Sequence, residues 1–146
     1  MSFELRDHTA DVAVAARGAT LGAAFAAVAD GMAAAQCEEI PETGGDRHEL
    51  DVAAEGREAL LFDYLDELIY ERDVREVLPV ANEATVHAPP DGGQGPEGAD
   101  AWRVEASYRG VPLADVVARD LKAVTYSEMA IEETPEGWEV YVVFDV

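Results

Sequence analysis

The apolar residues of this chain recur at two different spacings, and this division most limits the folds open to it. Within residues 21–32 and 57–72 they fall three or four residues apart, the spacing of one helix face. Within residues 101–108 and 138–146 they alternate with polar residues, which is typical of a strand with one buried side. The sequence therefore predicts an α+β fold, in which a mostly antiparallel β-sheet packs against two main helices.

The length of 146 residues suits a single domain covering residues 1–146. Residues 89–100 (PPDGGQGPEGAD) combine Pro, Gly and acids that bury little apolar area, so they are predicted to form a flexible surface loop. Two further local predictions are a turn at Arg109 and Gly110 and a short helix over residues 113–121. The two regions at 74–80 and 84–88 are predicted to be extended.

Several features bear on where the protein works. No stretch approaches the roughly 20 apolar residues of a membrane span. The first residues show no basic region followed by an apolar one, as a signal peptide would. Cys37 is the only cysteine, so no internal disulfide is possible. We expect a cytoplasmic protein without membrane association.

The charge balance is extreme, with 31 acidic residues against 10 basic ones and a formal net charge of -21. The acids are spread along the whole chain, which favours adaptation to a salt-rich, halophilic cytoplasm over an acidic tail that binds a partner. Strong direct binding to nucleic acid is not expected, because that requires clusters of Lys and Arg.

Three positions depart from the pattern of core and surface. Asp11 follows a predicted turn and either caps that turn or binds a ligand. Asp145 interrupts an apolar strand and is either a solvent-facing strand end or a partly buried acid that needs a cation or partner. Lys122 is the only lysine, and its compact, tunable charge differs from that of the other basic residues, all Arg. These properties favour a functional role for Lys122; the alternative is an ordinary surface lysine retained by chance.

Asp11, Asp145 and the terminal carboxylate of Val146 are oxygen donors. Such ligands suit hard cations, with Ca²⁺ first and Mg²⁺ or Mn²⁺ as alternatives, rather than Zn²⁺. The spacing along the sequence does not itself show that these groups meet. No motif of a catalytic nucleophile is present, and Cys37 follows an Ala-rich helix end, as a buried small residue would.

Four segments together resemble the signature of the archease family. Asp7-His8-Thr9-Ala10-Asp11 is similar to its opening motif, and residues 60–70 (LLFDYLDELIY) are similar to its central helix. Residues 122–126 (KAVTY) match its late motif, and residues 138–146 resemble its closing strand. Each motif alone is weak, but all four occur in the family's order and cover nearly the whole chain.

The resemblance implies an accessory protein rather than an enzyme. Archeases activate the RtcB-type RNA ligase of tRNA splicing by promoting its guanylylation and multiple turnover. They bind a divalent cation through the acids that correspond here to Asp11 and Asp145, with Val146 beside them. The resemblance also implies a role in activation for Lys122, with His8 and Thr125 as further functional candidates in the same motifs.

Two other functions stay open at this point. A general protein-interaction or chaperone-like modulator of RNA-processing proteins would need no catalytic site. A metal-dependent hydrolase would use His8 as a base beside the cation.

We expect the chain to loosen or unfold when KCl is lowered to a dilute buffer. Screening of the net charge of -21 weakens as the Debye length grows from about 3 Å at 1 M salt to about 30 Å at 0.01 M. Thermal denaturation across a KCl series measures the effect, and unchanged stability over that range would remove the argument for salt adaptation.

Overall fold

A computed structural model of the protein describes residues 2–7, 11–89 and 101–146. These residues form two α-helices and seven β-strands, with one 3₁₀ turn at Leu113–Asp115. The helices are α1 (Leu21–Gln36) and α2 (Arg57–Arg75). The strands are β1 (Ser2–Asp7), β2 (Asp11–Gly18), β3 (Asp46–Ala54), β4 (Val77–His87), β5 (Trp102–Pro112), β6 (Ala123–Thr134) and β7 (Gly137–Asp145).

The strands form two antiparallel sheets. One has the order β1-β2-β7-β6 and the other β3-β5-β4. Each helix contacts strands of both sheets, α1 chiefly β2 and β4, and α2 chiefly β6 and β3. The predicted α+β class with two main helices is confirmed, although the strands are divided between two sheets rather than gathered in one.

Helix α1 begins after a capping residue, Thr20. The Thr20 hydroxyl accepts a hydrogen bond from the Ala23 amide at 3.1 Å, which satisfies a free N–H of the first turn. Gly31 lets this helix lie close to β2, because a Cβ at that position would stand 2.5 Å from Val14 Cγ1. The predicted apolar stripe is buried and consists of Leu21, Phe25, Val28 and Met32.

Helix α2 is longer than predicted and ends at Arg75 rather than at residue 72. The expectation that Val74 is extended is therefore wrong. The last turn is held by a Glu71–Arg75 ion pair at 3.0 Å, one helical turn apart. Glu76 is the C-cap residue, and its left-handed φ of 56° stops the helix there.

Strand β4 joins regions that the sequence analysis separated. A bulge between Val80 and Glu83 interrupts the pairing with β5. There Ala81 has a φ of 48°, and the Asn82 amide turns to donate a 2.9 Å hydrogen bond to Asp30 of α1. Burial raises the pKa of this Asp30 carboxyl.

The predicted turn at Arg109 and Gly110 is wrong, because β5 runs through both residues to Pro112. Gly110 is paired on both sides, opposite Asp46 of β3 and Pro79 of β4. Glycine at this position allows close packing against β4 and does not mark a turn, since a Cβ there would lie 3.1 Å from Val77 Cγ2.

The predicted helix over residues 113–121 is also wrong beyond the 3₁₀ turn. The main chain of this segment, which we call the connector (residues 116–122), bonds to the helices instead of to itself. The Arg119 amide donates to the Gln36 carbonyl at 2.7 Å, and the Leu121 carbonyl accepts from Arg72 at 2.9 Å. The first of these bonds occupies an amide that a helix over residues 113–121 would have used internally.

The main core lies on one face of the β1-β2-β7-β6 sheet. On β7, Val140, Val142 and Phe144 belong to it, whereas Val143 and Asp145 point to the opposite face, as the alternation predicts. Of the predicted loop at 89–100, residues 90–100 lie outside the described residues, and Pro89 is buried without regular secondary structure. Within the described ranges, no helix is long and apolar enough to cross a membrane.

Two fully buried tyrosines differ in one respect. The Tyr108 hydroxyl donates a 2.8 Å hydrogen bond to Glu71 Oε1, whereas the Tyr64 hydroxyl has no hydrogen-bond partner among the described residues. Burial raises the pKa of both phenols, so both hydroxyls are neutral.

Removal of the hydroxyl should therefore destabilise the protein at Tyr108 but not at Tyr64. We expect Tyr64→Phe to change the free energy of unfolding by anything from nothing to a gain of about 1 kcal/mol, because it removes an unpaired buried polar group. Tyr108→Phe should cost about 1.5–3 kcal/mol, because it removes a bond to a charged group. Denaturant unfolding in high KCl measures both, and an equal loss in the two variants would contradict the assignment.

Candidate functional site

The two candidate acids are direct neighbours across the sheet. Asp11 of β2 pairs with Asp145 of β7 in the antiparallel register, at the end of both strands. Directly opposite residues place their side chains on the same face, with Cβ atoms about 4.5–5.5 Å apart. Asp11 is half-buried and Asp145 is exposed. Residues 134 positions apart in the chain thus bring two carboxylates to one place.

Lys122 joins this pair through the main chain. Its amide donates a 2.9 Å hydrogen bond to the Asp145 carbonyl. The next residue, Ala123, pairs with Asp145 from the β6 side. The Lys122 side chain is exposed, and no ion pair within the described part of the chain involves its ammonium group. We call Asp11, Asp145 and Lys122 the sheet-end site.

The remaining predicted site residues have different outcomes. Thr125 pairs with Val143, and its hydroxyl donates to the Val143 carbonyl at 3.1 Å while accepting from the Ser127 amide at 3.2 Å. This hydroxyl therefore fixes the main chain where β6 leaves its register with β7. Val146 directly follows Asp145 and is partly exposed. His8 lies outside the described residues.

An aromatic stack holds β6 next to this departure from register. The rings of Tyr126 and Phe62 of α2 lie 4.2 Å apart between centroids and 10° from parallel. Burial, together with the Asp63 carboxylate, raises the pKa of the Tyr126 phenol. The stack ties the late motif to the central helix motif.

The donor set of the sheet-end site suits a hard cation. Asp11 and Asp145 offer carboxylate oxygens side by side, and Val146 adds main-chain oxygen. Within residues 2–7, 11–89 and 101–146, no group of three or more His, Cys, Asp and Glu side chains is arranged to hold a metal. A cation bound at the Asp pair would therefore take further oxygen ligands from the main chain, from water or from a partner, because Ca²⁺ takes six to eight.

Sequence reasoning missed one residue that supports this site. Arg72 of α2 is 8% exposed at its side chain and donates to the Leu121 carbonyl, directly before Lys122. A signal for it exists in the sequence, because Arg72 falls at helical spacing on the apolar stripe that includes Leu65 and Leu68. A charge on a buried face requires partners. Because the sequence predicts a helix that ends at residue 72, Arg72 is interpreted there as a helix-terminal residue and not as part of the buried face.

Comparison with known proteins places the chain among a defined set of relatives. The model of the archease protein family (MTH1598/TM1083) matches residues 3–146. The protein archease of Methanosarcina barkeri is 30% identical over 145 residues, covering 99% of this chain and 95% of that protein. The protein archease of Thermococcus gammatolerans is 29% identical over 148 residues, covering 99% and 98%.

Two solved structures share the fold. Protein 1598 of Methanobacterium thermoautotrophicum superposes with a TM-score of 0.76 at 23% identity, covering 99% of this chain and 98% of that one. The Thermotoga maritima protein TM1083, described as an archease and possible chaperone, gives a TM-score of 0.59 at 19% identity, with 98% and 96% covered.

Proposed function

The chain belongs to the archease family, and from this membership we propose that it is an accessory protein that activates the RtcB-type RNA ligase of tRNA splicing. In this proposal it promotes guanylylation of the ligase and thereby multiple turnover. It does not itself join RNA. The observation that supports the proposal best is the sheet-end site, because the opening, late and closing motifs meet there around Asp145.

The sheet-end site would hold a divalent cation through Asp11 and Asp145, with main-chain oxygen of Val146. When bound, the cation supplies positive charge that attracts phosphate oxygens. Lys122, whose amide bonds to the Asp145 carbonyl, would add a second positive charge at this end of the sheet, on a chain whose net charge is -21. Thr125 and the motif residue His8 complete the set of functional candidates.

The charge distribution supports action on the ligase rather than on RNA. A chain with 31 acids and 10 basic residues repels a polyanion, and release of counterions from RNA requires clustered Lys and Arg. A protein partner with a basic surface is compatible with this field. The sheet-end site would then present localised positive charge, from the cation and from Lys122, to the ligase's nucleotide.

A chaperone-like modulator of RNA-processing proteins is the second candidate function. It is favoured by the description of the Thermotoga maritima relative as a possible chaperone. This alternative requires neither a cation nor the Lys122 ammonium group, which separates it from the activator in the experiments below.

Cation binding is tested on the isolated protein at constant high KCl. In EDTA, Asp145→Asn should be at least as stable as the unaltered protein, because like charges directly opposite each other are unfavourable. In Ca²⁺ the order should reverse, since binding at 100 times Kd adds about 2.7 kcal/mol to the unaltered protein alone. Thermal denaturation measures both states, and Mg²⁺ and Mn²⁺ are compared in parallel.

Glu139→Gln is the matched control for this measurement. Glu139 lies on the same face of β7 as Asp145 but pairs with Arg17 at 3.3 Å, far from the strand end. This variant should keep the full response to Ca²⁺. A response that survives in Asp11→Asn and Asp145→Asn would place the cation elsewhere.

Activation is tested by multiple-turnover RNA ligation in high KCl with GTP and Mn²⁺, using the ligase from the same cell. We expect this protein to increase both turnover and the amount of covalently guanylylated ligase. Asp11→Ala, Asp145→Ala and Lys122→Ala should each lower the stimulation by roughly tenfold or more, which corresponds to about 1.4 kcal/mol.

Glu139→Gln again serves as the control and should stimulate fully. Absence of stimulation by the unaltered, folded protein would refute the activator function. Equal stimulation by all three site variants would refute the site while leaving an activator that works through another surface.

A further inference from the structure

We propose that Arg72 is a positioning residue for Lys122, a role that deepens the proposed function and rests on it. Arg72 does not belong to the sheet-end site. It acts from the interior, through the connector that delivers Lys122 to the edge of β6.

The contacts of Arg72 reach three parts of the chain. Its Nη1 donates to Gln36 Oε1 of α1 at 2.8 Å and to the Leu121 carbonyl of the connector at 2.9 Å. Its Nη2 lies 3.5 Å from Asp120 Oδ1, also in the connector. Its own neighbour Asp73 accepts from Nε at 3.0 Å. One guanidinium group thus joins both helices to the two residues before Lys122.

Lys122 is therefore held from both sides. The carbonyl before it is fixed by Arg72, and its own amide is fixed by the Asp145 carbonyl at 2.9 Å. The Leu121 side chain between them is fully buried. A second connector bond, from the Arg119 amide to the Gln36 carbonyl at 2.7 Å, leads to the same end of α1. A surface lysine that served only solubility would not require its main chain to be fixed by hydrogen bonds on both sides.

The residue type fits this role. A buried guanidinium group offers several donors in a rigid plane, and Arg72 uses them on acceptors from separate segments. Lysine would keep the charge but offers one ammonium group, which cannot span the same acceptors. Without this donor, the Leu121 carbonyl and the Gln36 side-chain amide lose their bonds to Arg72. The connector is then freer to move, and the Cα atom of Lys122 moves with it.

The test uses the fact that Lys122 is the only lysine. Reductive ¹³C-dimethylation gives a single lysine methyl signal that retains the positive charge, so the mobility of Lys122 is measured directly by NMR relaxation in the isolated protein. The variant is Arg72→Gln, which removes the guanidinium group without adding a second lysine. The matched control is Arg75→Gln, one turn further along α2, where the described side-chain bonds go to Glu71 and none reaches the connector.

We expect Arg72→Gln to increase the mobility of the Lys122 methyl groups and to lower stimulation of the ligase about tenfold or more. The Ca²⁺-dependent gain in stability should persist, because β2 and β7 pair without Arg72. Arg75→Gln removes the same charge but should change neither the methyl signal nor the stimulation, even where its melting temperature falls. This contrast separates positioning from a general loss of stability.

Gln36→Leu is a second variant, which remains informative if Arg72→Gln does not fold. It removes one acceptor of Arg72 and should have the same effects in smaller size. Unchanged Lys122 mobility in a folded Arg72→Gln or Gln36→Leu protein overturns the proposal. Failure of the unaltered protein to stimulate the ligase refutes the proposed function instead, and the NMR measurement still decides whether Arg72 positions Lys122.

Discussion

The pairing of β7 with both of its neighbours is the interaction on which the rest of the structure depends. One face of this strand gives Val142 and Phe144 to the core, and the other carries Asp145. Its register with β2 places Asp11 opposite Asp145, and its register with β6 places Lys122 beside them. A slip of one residue would exchange these faces, burying the acid and exposing the apolar residues, so the core itself enforces the geometry of the site.

The core also determines where charge is tolerated. Almost all acids lie at the surface, where salt screens their repulsion. The two buried charges of α2, Glu71 and Arg72, both have partners. Glu71 Oε1 accepts from Tyr108 and Arg75, and Arg72 bonds to α1, to its neighbour Asp73 and to the connector. Since an unpaired buried charge costs several kcal/mol, these contacts constrain how α2 packs against the rest of the fold.

The sequence was sufficient for features that depend on local periodicity. The faces of β7 and the apolar stripes of the two helices follow from the spacing of apolar residues. Features that depend on distant partners were not predictable in this way. Gly110 reads as a turn, yet strands on both sides extend β5 through it. The connector reads as a helix, yet Arg72 and Gln36 take up its main-chain groups. The juxtaposition of Asp11 and Asp145 required the register, which no spacing along the chain provides.

The contrast between overall and local charge gives the proposed activator a physical logic. A strongly acidic chain does not compete with the ligase for RNA, because the chain and the RNA are both strongly negative and repel each other. It can still approach a ligase whose surface is basic, and long-range attraction would orient it. At close range the local charge at Lys122, whose main chain is bonded on both sides, matters more than the net charge of the chain. The side chain of Lys122 is exposed, while hydrogen bonds fix its main chain. Because the main chain is already ordered, less conformational entropy is lost when the ammonium group binds a phosphate.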